Sequence, residues 1–199
     1  MQKQIIVIAT QNKGKIFELN QLLTDLPFQL KSISEFTDHE PEETGTICEE
    51  NALIKARAAF ELTGLPSLAD DAGLFVDALN GAPGVYTSEF SKREDGTRDY
   101  PYAFEKLEKL LLDKEKDAHF VCVLAYVDGD QEKLFRGEVF GKLDFSDPTH
   151  KTDGTFGFDP VFIPKGETQT FAQLGMSAKK KYSHRANASK IFVDWFLGK

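Results

Sequence analysis

The chain has 199 residues, 41% hydrophobic and 28% charged, enough for one substantial core and ordinary for a globular protein. Its formal net charge of −8 argues against a broad electrostatic grip on nucleic acid, but not against a small phosphate-bearing ligand held by a few local cations. No apolar run reaches the length of a membrane span, the amino terminus opens directly into a strand with no room for a signal peptide, and two distant cysteines, Cys48 and Cys122, point to a reduced, cytoplasmic chain.

Gln4–Ala9 reads as a buried strand, Lys13–Leu26 as a helix and Phe28–Ile33 as a second strand. Between the first two lies the polar turn Thr10-Gln11-Asn12-Lys13-Gly14-Lys15. A strand feeding a Gly- and Lys-containing turn and then a helix is how α/β proteins hold phosphate. This is not the P-loop pattern, because Ile16 follows Lys15 and no glycine lies four or five residues before Gly14. Lys13 and Lys15 can pair with phosphate oxygens, while Thr10 and Asn12 donate hydrogen bonds. A solvated helix start is the plainer alternative, mildly disfavoured because lysines there oppose the helix dipole.

The acidic loop FTDHEPEETG comes next, then a helix from about Thr46 to Leu62 whose start carries a Thr46-x-x-Glu49 capping box. Glu42 and Glu43 lie outside this helix, where at least one can reach a metal. Ile47, Asn51, Ile54 and Ala58 share a helical face, so Asn51 interrupts an apolar stripe and must find partners among nearby loops. Lys55, one turn on, can face the same cleft, although for this segment alone an acidic, solvated loop and an ordinary surface helix is the plainer reading. After Gly64-Leu65-Pro66, Ser67–Ala69 reads as a short buried strand reaching Asp70-Asp71, and Gly73–Leu79 continues as strand. Carboxylates at the carboxyl end of a strand sit where α/β sheets place ligands. Two of them can hold Mg²⁺, or one can hold metal while the other activates water. An Asp-rich turn before Gly73 is the bland alternative.

Tyr102–Leu112 reads as a helix, and HFVCVLAYVDGDQEKLFRGEVFGKL as a hairpin turning near Asp128-Gly129-Asp130. The last quarter holds the Gly-rich TDGTFGFDP, a short strand Val161–Ile163 and two helical stretches. The second of these, after Ser183, places Ala188, Ile191, Phe192, Trp195 and Phe196 on one face. Phe156 or Phe158, on either side of Gly157, can stack on a base while Asp159 reads an edge, with Lys179, His184 and Arg185 as cations and donors. The alternative is a solvated Lys179-Lys180-Lys181 run followed by an ordinary first turn of helix. The whole reads as α/β with a mixed sheet. Cations for a polyphosphate, carboxylates for Mg²⁺ and an aromatic for a base fit one ligand.

In this order the motifs resemble those of the inosine triphosphate pyrophosphatase, or Ham1-like, family. They are Thr10-x-Asn12-x-x-Lys15, Glu42-Glu43-Thr44-Gly45 leading to Glu50-Asn51-Ala52, Ala69-Asp70-Asp71-x-Gly73-Leu74, Gly81-Ala82-Pro83-Gly84, Phe156-Gly157-Phe158-Asp159-Pro160 and Ser183-His184-Arg185. The resemblance runs from Ile5 to about Ala188. It implies an α/β fold, a long mixed β-sheet flanked by helices, two lobes around a nucleotide cleft, one domain over the whole chain and, usually, a homodimer. It also implies hydrolysis of ITP, dITP and XTP to monophosphate and pyrophosphate, which keeps deaminated purines out of nucleic acid.

By the same resemblance, Thr10, Gln11, Asn12, Lys13, Gly14 and Lys15 hold phosphate with help from Lys55. Asp71 is the proton acceptor and a metal ligand, Glu43 the second metal carboxylate, and Asp70 stands beside them, with Mg²⁺ as the ion. Ala72, Phe156, Gly157, Phe158, Asp159, Lys179, His184 and Arg185 complete the substrate site. Arg185 or His184 is expected to reward the 6-carbonyl of inosine and xanthosine over the amine of adenosine. Three positions depart from the family pattern: Ala72 where Ser is common, Gln11 where Gly, Ser or Asn is usual, and Gly175 with its lysine run in a segment usually more acidic. Two rivals stay open. One is a nucleotide-binding module without catalysis, hinted at by Ala72, and the other a pyrophosphatase for other modified nucleotides.

Overall fold

In the computed structural model, which describes residues 3–199, the chain begins with β1 (Gln4–Ile8), α1 (Lys13–Leu22) and β2 (Phe28–Ser32). β1 pairs in parallel with β2, Gln4 opposite Phe28, and with β3 (Ser67–Val76), Val7 opposite Ser67. Parallel strands flanked on both sides are buried on both faces, which is why Ile6, Val7 and Ile8 are nearly inaccessible. The carboxyl end of β1, with Ile8 opposite Leu68, therefore lies beside the start of β3, two positions before Asp70.

β3 is one continuous strand through Asp70-Asp71, with no Asp-rich turn before Gly73; it ends at Val76 and not Leu79, because Asp77–Leu79 forms a 3₁₀ turn. Gly73 lets β3 approach its antiparallel partner β4 (Pro83–Gly84), since a Cβ there would lie 2.3 Å from the Gly84 carbonyl oxygen. The remaining elements are α2 (Cys48–Thr63), α3 (Thr87–Phe90), α4 (Tyr100–Leu110), β5 (Asp117–Val127), β6 (Glu132–Leu143), β7 (Phe162–Pro164), α5 (Phe171–Tyr182) and α6 (His184–Phe196). Strand order is β2-β1-β3-β5-β6-β7, with β4 on β3, and the sheet mixes parallel with antiparallel pairs. Among the described residues no helix is long and apolar enough to cross a membrane.

The chain divides into two compact units. The first comprises residues up to Asp71 with Cys122–Gly137 and Arg185–Lys199. Its core includes an aromatic cluster in which fully buried Phe192 of α6 meets Phe28 at 6.0 Å and Phe135 at 5.4 Å. Of the apolar face expected on α6, Ala188 and Phe192 are buried but Ile191 is 47% exposed. One residue of helix rotation, about 100°, carries it off the Ala188–Phe192 line. The start of α2 also differs. Ile47 is its N-cap without a side-chain bond, Glu50 takes the Thr46 N–H and hydroxyl at 2.7 and 3.2 Å, and Glu49 pairs with Arg136 instead of capping.

The second unit comprises Ala72–Val121 and Glu138–His184. Leu74, Phe104, Leu107, Phe158, Phe162 and Phe171 lie at its core. Here α5 is broken at Gly175, whose φ of 72° and ψ of −171° belong to glycine almost alone.

Candidate active site

In the first unit, β1 ends at a turn that caps its own helix. Thr10 Oγ1 accepts from the Asn12 N–H at 3.2 Å, and Asn12 Oδ1 accepts from the N–H groups of Gly14 and Lys15 at 3.0 and 3.3 Å. Asn12 is thus the N-cap of α1. Its amide hydrogens and the Thr10 hydroxyl proton are the groups these residues can offer an anion. The two lysines of the turn part company: Lys13 is exposed, whereas Lys15 turns in and places Nζ 2.7 Å from Asp70 Oδ1. Gln11 ties the turn to the loop that follows β2. Its N–H donates to Glu40 Oε1 at 2.9 Å, and its side-chain amide reaches the Thr37 carbonyl at 3.5 Å.

Successive residues of a strand point to opposite faces, and Asp70 and Asp71 enter different environments. Asp70 is fully buried. Arg185 Nε lies 2.7 Å from its Oδ2 and Arg185 Nη2 3.1 Å from its Oδ1, and Cys122 Sγ lies 3.1 Å from Oδ2. Arg185 also binds Glu18 of α1. Burial raises the pKa of Asp70, but the Arg185 and Lys15 charges overcome it and hold the carboxyl well below its ordinary value. With both oxygens engaged, Asp70 anchors a buried ion network and is not placed as the metal carboxylate expected from sequence. Arg185, expected to face a base, is 1% exposed inside that same network. Sequence reasoning missed Glu18; its only signal was a carboxylate one helical turn beyond Lys15.

Asp71 joins a different group. Lys55 Nζ lies 2.7 Å from both Asp71 Oδ1 and Glu43 Oε1. Asp71 Oδ2 is buried and has no hydrogen-bond partner among the described residues. Burial pushes the Asp71 carboxyl up from its ordinary value against the pull of Lys55 and Lys15. Burial also disfavours the Lys55 charge, but Asp71 and then Glu43 outweigh it and raise the Lys55 pKa. Cys48 is pushed up by burial and by the Asp71 charge beside it. Asn51, buried on α2, does brace the acidic loop: its Oδ1 accepts from the Gly45 N–H at 2.8 Å.

The described residues include no group of three or more His, Cys, Asp or Glu able to enclose a metal. Mg²⁺ needs no such cage, because it is usually held by one or two carboxylates, waters and substrate phosphates. Glu43 and Asp71, with the unpartnered Asp71 oxygen, fit that donor set. Thr10 and Lys55 also line a pocket of about 190 Å³ with Ile33, Pro41, Ala58 and Leu62.

The second unit gathers the aromatic loop. Asp159 Oδ2 accepts from the Phe156 N–H at 3.0 Å and from Lys179 Nζ at 2.5 Å. Lys179 sits 4.9 Å from the centre of the Phe156 ring and donates to the Gly154 carbonyl at 3.3 Å. Gly157, with φ of 64°, supplies the backbone turn between the two phenylalanines. Phe158 is buried between Tyr100 and Phe104, so half-buried Phe156 is the ring able to stack on a ligand. His184 is buried and stacked on Phe120 at 4.7 Å, and Ala72 is half-buried in β3. Lys180 and Lys181 are exposed, as a solvated run would be. Phe156 and Gly157 also border a pocket of about 630 Å³ with Tyr100, Phe104 and Phe145.

The family model described as the Ham1 family matches residues 6–195. The dITP/XTP pyrophosphatase of Rhizobium meliloti is 47% identical, covering 97% of this chain and 96% of its own. That of Agrobacterium fabrum is 45% identical, covering 96% and 95%. Among solved structures, the Staphylococcus aureus Ham1 protein matches with a TM-score of 0.84 at 35% identity, over 98% of this chain and 99% of that one. A HAM1 protein from Coxiella burnetii matches with a TM-score of 0.86 at 34% identity, over 98% and 100%.

Proposed function

Because the chain belongs to the Ham1 family, we propose that it hydrolyses ITP, dITP and XTP to the nucleoside monophosphate and pyrophosphate, clearing deaminated purines before they enter DNA or RNA. The observation that carries this reading is the Glu43–Lys55–Asp71 cluster, two carboxylates and a cation next to a helix-capping turn rich in donors. The similarity to two dITP/XTP pyrophosphatases supports the substrate class.

In this reading Lys13, Lys15 and Lys55 neutralise the triphosphate, and the Thr10 hydroxyl and the Asn12 side-chain amide orient it, while Gln11 and Gly14 shape the turn through their bonds to Glu40 and Asn12. Glu43 and Asp71 would hold Mg²⁺, with Asp70 fixing Lys15 from behind. When bound there, the ion supplies charge neutralisation for the departing pyrophosphate. Asp71 accepts a proton from the water whose oxygen bonds to the α-phosphorus as the bond to the α–β bridging oxygen breaks. Phe156 stacks on the base, Asp159 and Lys179 read its edge, and His184 is the remaining donor toward the 6-carbonyl. Arg185 acts through Asp70 and Glu18. A single family model over residues 6–195 supports one working domain. The family resemblance supports a cytoplasmic homodimer, whose mass light scattering would measure.

The test is pyrophosphate release from the purified protein with Mg²⁺, comparing ITP, XTP, GTP and ATP with an EDTA control. Rapid, metal-dependent release from ITP and XTP alone is expected. Equal turnover of GTP would reject the base preference, and orthophosphate as the product would move the attack away from the α-phosphorus. Nucleotide binding without release would leave a binding module in which Ala72 is the first residue to change.

A further inference from the structure

We infer that Lys55 is a place-keeper for the metal: its ammonium takes the cation position shared by Glu43 and Asp71, so that a divalent ion enters with the polyphosphate and not before it. This rests on reading those two carboxylates as the metal ligands. The Lys55 side chain is 8% exposed, and Nζ is equidistant, at 2.7 Å, from one oxygen of each carboxylate. The ammonium thus engages one oxygen of each carboxylate that would hold a divalent ion. An ion arriving alone would have to displace the ammonium or share its oxygens at like-charge distance. What the ammonium leaves it is the unpartnered Asp71 Oδ2 and the second oxygen of Glu43, whose side chain is 44% exposed, both beside a positive charge, a weak hold for an ion that gives up its water reluctantly.

A polyphosphate changes the balance. It supplies the ion with further oxygens and gives the ammonium a new anionic partner. Lysine suits the exchange, being a compact charge on a flexible four-carbon stem. It also has room to move, because Lys55 borders the pocket of about 190 Å³ that Thr10, a residue of the phosphate turn, lines as well. Its base stays fixed meanwhile on the buried face of α2, beside Asn51 and Ala59. Lys55 is then used twice, first to neutralise the carboxylates and then to neutralise phosphate.

The test uses Mn²⁺ as the probe and the whole chain without nucleotide, with free and bound ion distinguished by electron paramagnetic resonance. Wild-type protein should bind Mn²⁺ only in the millimolar range, and Lys55→Met should bind it at least about ten-fold more tightly, the scale of effect that groups around a metal site exert. Adding Asp71→Asn should abolish the gain. Micromolar, Asp71-dependent binding to wild type would overturn the inference, however the variant behaves. So would a folded Lys55→Met that binds no more tightly than wild type. If circular dichroism shows that Lys55→Met does not fold, Lys55→Gln takes its place under the same criterion. The functional reading fails separately: wild type that releases no pyrophosphate from any nucleotide would refute it whatever the Mn²⁺ result.

Discussion

Asp70 and Asp71 are covalent neighbours whose surroundings drive their acidities in opposite directions, and substitution should separate their roles. Asp71→Asn keeps shape and removes the base. We expect kcat to fall by roughly a hundred- to ten-thousand-fold while nucleotide affinity stays within about ten-fold; a near-normal kcat would remove Asp71 from catalysis. Asp70→Asn should act on the fold instead. It leaves two cations, Arg185 and Lys15, with Glu18 as the one carboxylate remaining in the network, and breaking such a network costs about 3–5 kcal/mol. The Asp70 pKa is depressed in the fold. Its stabilising contribution is therefore fully present above the unfolded value of about 3.9, and it is lost as pH falls below that toward the folded value. Denaturation of wild type and Asp70→Asn should show a constant gap from neutral pH to about pH 5, narrowing below about pH 4. Equal stability at neutral pH would refute the anchoring role.

At the scale of elements, the break in α5 is the feature whose purpose is least evident from sequence. A Cβ at Gly175 would have space, its nearest neighbour being Thr152 Oγ1 at 4.0 Å, so the obstacle to any other residue is the backbone itself. Gly175→Ala should cost about 1–3 kcal/mol. Lys179 lies one turn beyond, holding Asp159 and Phe156. The KM for ITP should therefore rise several-fold with a smaller change in kcat, and equal loss in both would argue against a role in base binding. Elements were mostly legible because each follows one period: β1, α1, the β5–β6 pair and α6 all lie close to where hydrophobic spacing places them. In β3, Asp-Asp-x-Gly carries turn chemistry, which is why an Asp-rich turn stood as an alternative there. The strand runs through because it is paired with β1 and β4, and the Asp70 charge inside it is met by Lys15 and Arg185 from 55 and 115 positions away. Local propensity loses to such distant partners. The start of α2 was misread for a smaller reason, a helix beginning at Cys48 that shifts the capping partner of Thr46 from Glu49 to Glu50.

For the whole molecule, a net charge of −8 and a phosphate-binding role are compatible because the useful cations are local and partly spent on carboxylates. Duplex DNA should give no fluorescence-anisotropy change with micromolar protein at about 0.15 M salt. A salt-sensitive rise would mean the lysines form a wider basic surface than their ion pairs suggest. Fold and cluster membership were largely readable in the sequence, since Glu43, Lys55 and Asp71 do meet, as do Phe156, Asp159 and Lys179. The burial of Arg185 was not readable, because its partners Glu18 and Asp70 are remote in the chain and nothing local distinguishes an arginine paired inside from one facing a ligand.

The two compact units change over at Asp71–Ala72, Val121–Cys122, Gly137–Glu138 and His184–Arg185. These junctions fall inside β3, β5, β6 and α6, never in a loop. Natural variation here should follow a rule of spacing more than of identity. Adding or removing one residue in β3 would reverse every side chain beyond it and exchange the surroundings of the two aspartates. Insertions and deletions belong in the acidic loop and the turn after β5; inside these strands the chain can change its letters but not its count.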